Sequence, residues 1–93
     1  MIRSFADKAT ERLFRDGSFP ARWRSIEAVA RRKLDMVDAA TRLDDLRSPP
    51  GNRLEALKGN SHGQHSIRIN RQWRVCFRWT PDGPAAIEIA DYH

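Results

Sequence analysis

Trp73-Arg74-Val75-Cys76-Phe77-Arg78-Trp79 alternates without a break between large apolar residues and polar or small ones. Successive side chains of a strand point to opposite faces, so this period of two predicts a β-strand with one apolar and one cationic face. The same pattern recurs on both sides. Ser66-Ile67-Arg68-Ile69-Asn70 precedes it, and Ala86-Ile87-Glu88-Ile89-Ala90 follows it across a Pro81-Asp82-Gly83-Pro84 turn, as in a hairpin. Leu54 and Ala56 suggest one more short strand, ended at Lys58-Gly59-Asn60. Parity gathers Trp73, Val75, Phe77 and Trp79 with Ile67, Ile69, Ile87 and Ile89 on the side that must be covered. Arg74, Cys76 and Arg78 face the other way, with Arg68 and Glu88. A regular last strand adds Tyr92 to this second face, whereas Asp91 and His93 have the opposite parity.

Upstream the period changes. Met1-Ile2-Arg3-Ser4-Phe5 alternates and suggests a short first strand. Asp7 or Ser4 can cap a helix running to about Arg15, which Asp16-Gly17 stops. Pro20 suits the first turn of a second helix. Ile26, Val29, Ala30, Leu34, Val37 and Ala40 then recur at helical spacing, predicting one long amphipathic helix to about Ala40. Its outer face carries Arg24, Arg31, Arg32 and Asp35. Residues 41–52 read as a connector, because Pro49-Pro50-Gly51 fits neither a helix interior nor a central strand. The expected fold is α+β: a single two-layer domain over residues 1–93, with two N-terminal helices on one face of an antiparallel sheet.

Ninety-three residues form one small domain, which buries roughly 60–65% of its unfolded surface and leaves no room for a second unit. The net charge of +5 points to nucleic acid or an acidic protein as partner. Fourteen of the 17 cations are arginine, a planar fork that grips phosphate with two hydrogen bonds, although GC-rich coding also favours it. Cys76 is the single cysteine, so no internal disulfide is possible and a reducing compartment fits. There is no apolar run of about 18 residues and no signal-peptide core. A cytoplasmic protein without a membrane role is expected.

The chemistry concentrates late in the chain. Between Arg53 and Arg78 stand six cations (Arg53, Lys58, Arg68, Arg71, Arg74 and Arg78) against one carboxylate, Glu55. We expect Arg74 and Arg78 to lie about 7 Å apart on one strand face, close enough to hold neighbouring phosphates and stabilise a pentacovalent transition state. Lys58 before Gly59 can bind phosphate from a loop. Tyr92 and His93 can move protons to and from ribose hydroxyls, provided the strand before them holds the tail. His62-Gly63-Gln64-His65 has an H-x-x-H spacing, but the two imidazoles do not converge on a strand and no CxxC accompanies them. No metal or cofactor is expected. No phosphate-loop or nucleophile-elbow motif occurs.

Arg53-Leu54-Glu55-Ala56-Leu57-Lys58-Gly59, His65-Ser66-Ile67-Arg68-Ile69-Asn70, Gln72-Trp73-Arg74-Val75-Cys76-Phe77 and the ending Ile89-Ala90-Asp91-Tyr92-His93 together resemble the HigB toxins of the RelE/ParE superfamily. Arg47-Ser48-Pro49-Pro50-Gly51-Asn52 brings the GraT-like subgroup nearest. The resemblance implies the RelE fold and metal-independent cleavage of mRNA in the ribosomal A site, by attack of the RNA's own 2′-hydroxyl on the adjacent phosphate. Carried over, Arg74 stabilises the transition state and Lys58 positions the phosphate. Asp91, Tyr92 and His93 form the acid/base and orientation set, His93 foremost, while Arg68, Arg71 and Arg78 bind RNA. Glu55 stands where some members of the family have a catalytic histidine. It becomes the candidate general base, with His65 or His62 as substitutes that do not match by position. The implied partners are the ribosome, mRNA and a HigA-like helix-turn-helix antitoxin docking around residues 5–40, with operator DNA reached only through that antitoxin. Two other readings compete: a ParE-like gyrase poison of the same fold, and a non-catalytic basic module that binds RNA or protein.

Overall fold

The computed structural model describes residues 1–92. Helix α1 spans Lys8–Asp16 and begins where Asp7, in extended backbone, accepts the Thr10 N–H on its carboxylate at 2.7 Å. It ends at Gly17, whose φ of +81° is the left-handed conformation that glycine adopts without a Cβ penalty.

Helix α2 (Glu27–Ala39) is shorter than the spacing predicts. Pro20 precedes a single 3₁₀ turn, Ala21–Trp23, rather than the helix itself. That turn drops Trp23 into the core at 1% exposure, where its ring meets Trp73 edge-on at 6.4 Å. Burying an indole of roughly 200 Å² contributes about 4–5 kcal/mol, far more than helix propensity offers over one extra turn.

The sheet is β1 (Glu55–Ala56), β2 (Gln64–Arg68), β3 (Trp73–Thr80) and β4 (Gly83–Asp91), hydrogen-bonded in sequence order and antiparallel throughout. Strand β2 stops at Arg68, short of the predicted Asn70, because Ile69 and Asn70 both turn their N–H groups onto the Trp73 carbonyl. The Asn70 side chain then accepts the N–H groups of Gln72 and Trp73. Thr80 pairs with Gly83, so the hairpin turn is only Pro81-Asp82, and β4 starts three residues earlier than expected. Met1–Phe5 is not a strand. It lies beside β4 through one parallel bridge, Phe5 to Ile87.

Parity holds. Ile67, Val75, Phe77, Ile87 and Ile89 close the core with Leu13, Trp23, Ile26, Ala30, Leu34 and Val37, while Trp73, Trp79 and Ile69 lie half-buried around it. The connector is less plain than its composition suggests: residues 41–52 hold two 3₁₀ turns, Leu43–Arg47 and Pro50–Asn52. The register passes from Cys76–Glu88 to Arg78–Ala85, so β4 carries one extra residue, a bulge. Ala86 sits there at φ +53°, and the Ser4 hydroxyl accepts its N–H. Among the described residues, no helix is long and apolar enough to cross a membrane.

Candidate active site

Arg74 organises the open face of the sheet. It stands across β2 from Arg68 and across β4 from Ala90. Its side chain lies flat along the sheet instead of projecting from it. Nε donates to the Ser66 hydroxyl at 2.7 Å, and Nη2 donates to the Arg53 carbonyl at 2.8 Å. Glu55 Oε1 is 3.6 Å from the same Nη2. Ser66 and Glu55 are register partners, which is why one long side chain crossing β2 reaches both. Two of its three neighbours are neutral acceptors, and Glu55 is 57% exposed, so solvent screens that ion pair. The guanidinium is held without being neutralised.

The expected Arg74–Arg78 clamp is not formed. Four residues of β3 separate them, about 13 Å at roughly 3.3 Å per residue, too far for adjacent phosphates. Arg78 lies beyond Cys76, opposite Gln64, with Nη1 only 2.6 Å from where a side chain on Gly63 would begin. The true cationic pair is Arg68 and Arg74, direct cross-strand neighbours with Cα atoms about 5 Å apart. Like charges so placed cost stability, and an anion between them relieves the cost.

Tyr92 reaches this face as parity predicts. Its N–H donates to the Gln72 carbonyl and continues the ladder one residue past β4, so the tail is held. Its phenol lies beside Cys76. Partial burial foremost, then the neighbouring Cys76, raises its pKa, and Arg74 pulls the other way. The phenol is therefore neutral at ordinary pH and has a proton to give. Cys76 is 2% exposed, and burial with nearby Glu88 pushes its thiol up to about 11. It is no nucleophile at neutral pH.

Other predicted residues lie apart. Asp91 pairs with Trp73 on the opposite parity and accepts a hydrogen bond from Gln72 Nε2 at 3.1 Å. Lys58 is exposed just past β1, before Gly59 at φ +65°. Arg71 is exposed in the β2–β3 turn. His93 lies outside the described residues. His65 cannot substitute as base, because it shares the helix-side face with Phe77, stacked at 6.4 Å, while His62 is exposed beyond the Gly59–Ser61 turn. No group of three or more metal-ligating side chains forms among the described residues.

The structure thus brings together Glu55, Arg68, Arg74 and Tyr92. It adds two groups that had no assigned role: Ser66, whose parity with Arg68 was the available signal, and the Arg53 carbonyl, for which there was none. Two surface hollows, one around Met1, Thr41 and Trp79 and one around Ala9, Arg12 and Phe19, lie elsewhere. The site is an open platform suited to a polymer.

Two helices backing a four-stranded antiparallel sheet whose cationic face stays open define a RelE-like toxin fold. Residues 3–93 match the family model of the RelE-like toxin of type II toxin–antitoxin system HigB, and the chain belongs to that family. It is 43% identical to Toxin HigB-1 of Vibrio cholerae, across the whole chain and 98% of that protein. It is 30% identical to Endoribonuclease HigB of Proteus vulgaris, with both chains fully covered. An uncharacterized protein of Haemophilus influenzae is 45% identical over 55% of this chain and half of its own length.

Proposed function

We propose that this toxin is a metal-independent endoribonuclease that cuts mRNA in the ribosomal A site and is neutralised by a HigA-like antitoxin. The observation that carries this reading is Arg74, pinned but not neutralised on the open face, with a neutral phenol beside it. The Proteus relative, named an endoribonuclease, supports it.

In this mechanism Arg74 and Arg68 hold the non-bridging oxygens of the scissile phosphate, with Lys58 positioning the strand. Glu55 takes the proton of the 2′-hydroxyl as that oxygen attacks phosphorus. The P–O5′ bond breaks, and Tyr92 or His93 protonates the departing 5′-oxygen, leaving a cyclic phosphate. Arg71 and Arg78 bind flanking backbone, and Asp91 orients the tail. In this reading the protein works in the cytoplasm, on the ribosome. The antitoxin docks on the helical side, where Arg24, Arg32 and Asp35 are exposed.

Toeprinting on translating ribosomes tests this directly. Wild-type protein is expected to cut within the A-site codon. Arg74→Lys should cut about 100-fold more slowly, because an ammonium cannot bridge two fixed acceptors and a phosphate. His93→Ala should lose most of the activity, and cuts that persist in it would shift the proton to Tyr92. No cleavage by wild type at any concentration would sink the nuclease reading and make gyrase the next assay.

A further inference from the structure

The connector before β1 is a bracket for Arg74. Asn52 is completely buried. Its amide nitrogen donates to the carbonyls of Leu46 at 3.2 Å and Ser48 at 3.3 Å and contacts the Met36 sulfur at 3.8 Å. Its oxygen accepts from Lys33 Nζ, brought by α2 and 9% exposed. An amide satisfied on every side has one orientation, so the Pro50–Asn52 turn is locked to α2.

The next residue carries that order to the open face. Arg53 is left-handed at φ +47° and ψ +57°, and its N–H returns to the Pro50 carbonyl. Its own carbonyl thereby meets Arg74 Nη2 at 2.8 Å. The Ser66 hydroxyl alone would leave the guanidinium free to swing about a single hydrogen bond. A second fixed acceptor sets its plane. Without that acceptor, Glu55 at 3.6 Å competes for the guanidinium and draws it away from phosphate.

We infer that Lys33 and Asn52 are positioning residues for the Arg74 guanidinium: α2 holds the Pro50–Asn52 turn, and the turn holds Arg74 through the Arg53 carbonyl. This inference rests on the reading of Arg74 as the phosphate-holding group. Neither Lys33 nor Asn52 touches RNA, and both lie in segments whose sequence shows only a helix face and a linker.

The test pairs the Arg74 Nε–H signal in ¹⁵N NMR with single-turnover cleavage of ribosome-bound mRNA. Asn52→Ala removes the lock. Arg53→Val puts a β-branched residue where left-handed backbone is needed, whereas Arg53→Gly keeps that backbone and removes only an exposed side chain. The native signal should survive in Arg53→Gly and collapse toward the solvent-averaged position in Asn52→Ala and Arg53→Val. The single-turnover rate of those two should fall about tenfold or more at 20 °C below their melting temperatures, with KM moved less than about twofold. Retention of the native Arg74 signal and rate in folded Arg53→Val and Asn52→Ala, with only a lower melting temperature, would overturn the inference. If Asn52→Ala does not fold, the Arg53 pair decides alone. A wild type that does not cleave would end the nuclease reading, and the Arg74 signal would still decide the bracket.

Discussion

Cys76 shows how one residue's surroundings fix both its chemistry and its share of stability. Parity turns it to the open face, yet Tyr92, Arg74 and Glu88 around it leave it 2% exposed. Burial raises its pKa from an ordinary 9.0 to about 11, so the folded protein keeps a proton that the unfolded chain releases first. The unfolded state therefore binds fewer protons between pH 9 and 11, and stability must fall as pH rises through that window. The loss is about 2 kcal/mol, and the raised Tyr92 adds in the same direction. Denaturant unfolding at pH 8.5 and 10.5 should show this decline, and Cys76→Ala should flatten most of it. A wild type whose midpoint holds steady over that range would refute the account. Below pH 9 the buried thiol should resist alkylation until the protein is unfolded.

At the level of elements, the bulge in β4 determines which residues face the site. Ala86 at φ +53° holds a conformation that costs an alanine about 1 kcal/mol and a glycine little. Ala86→Gly should thus stabilise the domain by about 0.5 kcal/mol after the entropy of the unfolded glycine is counted, read as a rise of a few degrees in melting temperature. A fall would mean that the Ala86 methyl packs more than its backbone strains. The strands of the sheet were legible, although Met1–Phe5 alternates and forms none: alternation at Trp73–Trp79 gave the faces correctly, and Asp7 and Gly17 marked both ends of α1. The start of α2 was not, because Pro20 signals a helical turn of either kind and only burial of Trp23 selects the 3₁₀ one. Nor was the bulge, since Ala86 is not the glycine or asparagine that announces left-handed backbone. For the candidate site, parity delivered Arg74 and Tyr92 and correctly separated Asp91. It put Ser66 on the right face but could not show that Ser66 and the Arg53 carbonyl hold Arg74, since register and a backbone carbonyl leave no mark in residue type. The Arg74–Arg78 pairing failed on distance alone.

Over the whole molecule, the charge of +5 is spread on both layers, but the helical side pairs part of its share in Arg15–Glu11 and Arg31–Glu27. Binding to single-stranded RNA should weaken with salt, and Arg68→Ala should lower the slope of log affinity against log salt by about 0.7, one phosphate contact. An unchanged slope would remove Arg68 from the RNA path. The two ends of the chain are clasped together: the Ser4 hydroxyl takes the Ala86 N–H from 82 residues away, and Thr10 Oγ1 takes the Ile89 N–H from 79 away. Helix α1 is made early and finds its seat only when β4, the last strand, has been synthesised. Tyr92 comes after β4, so the platform is complete later still. A nascent chain grown only as far as β3 therefore already carries Arg74, but neither a seated α1 nor Tyr92.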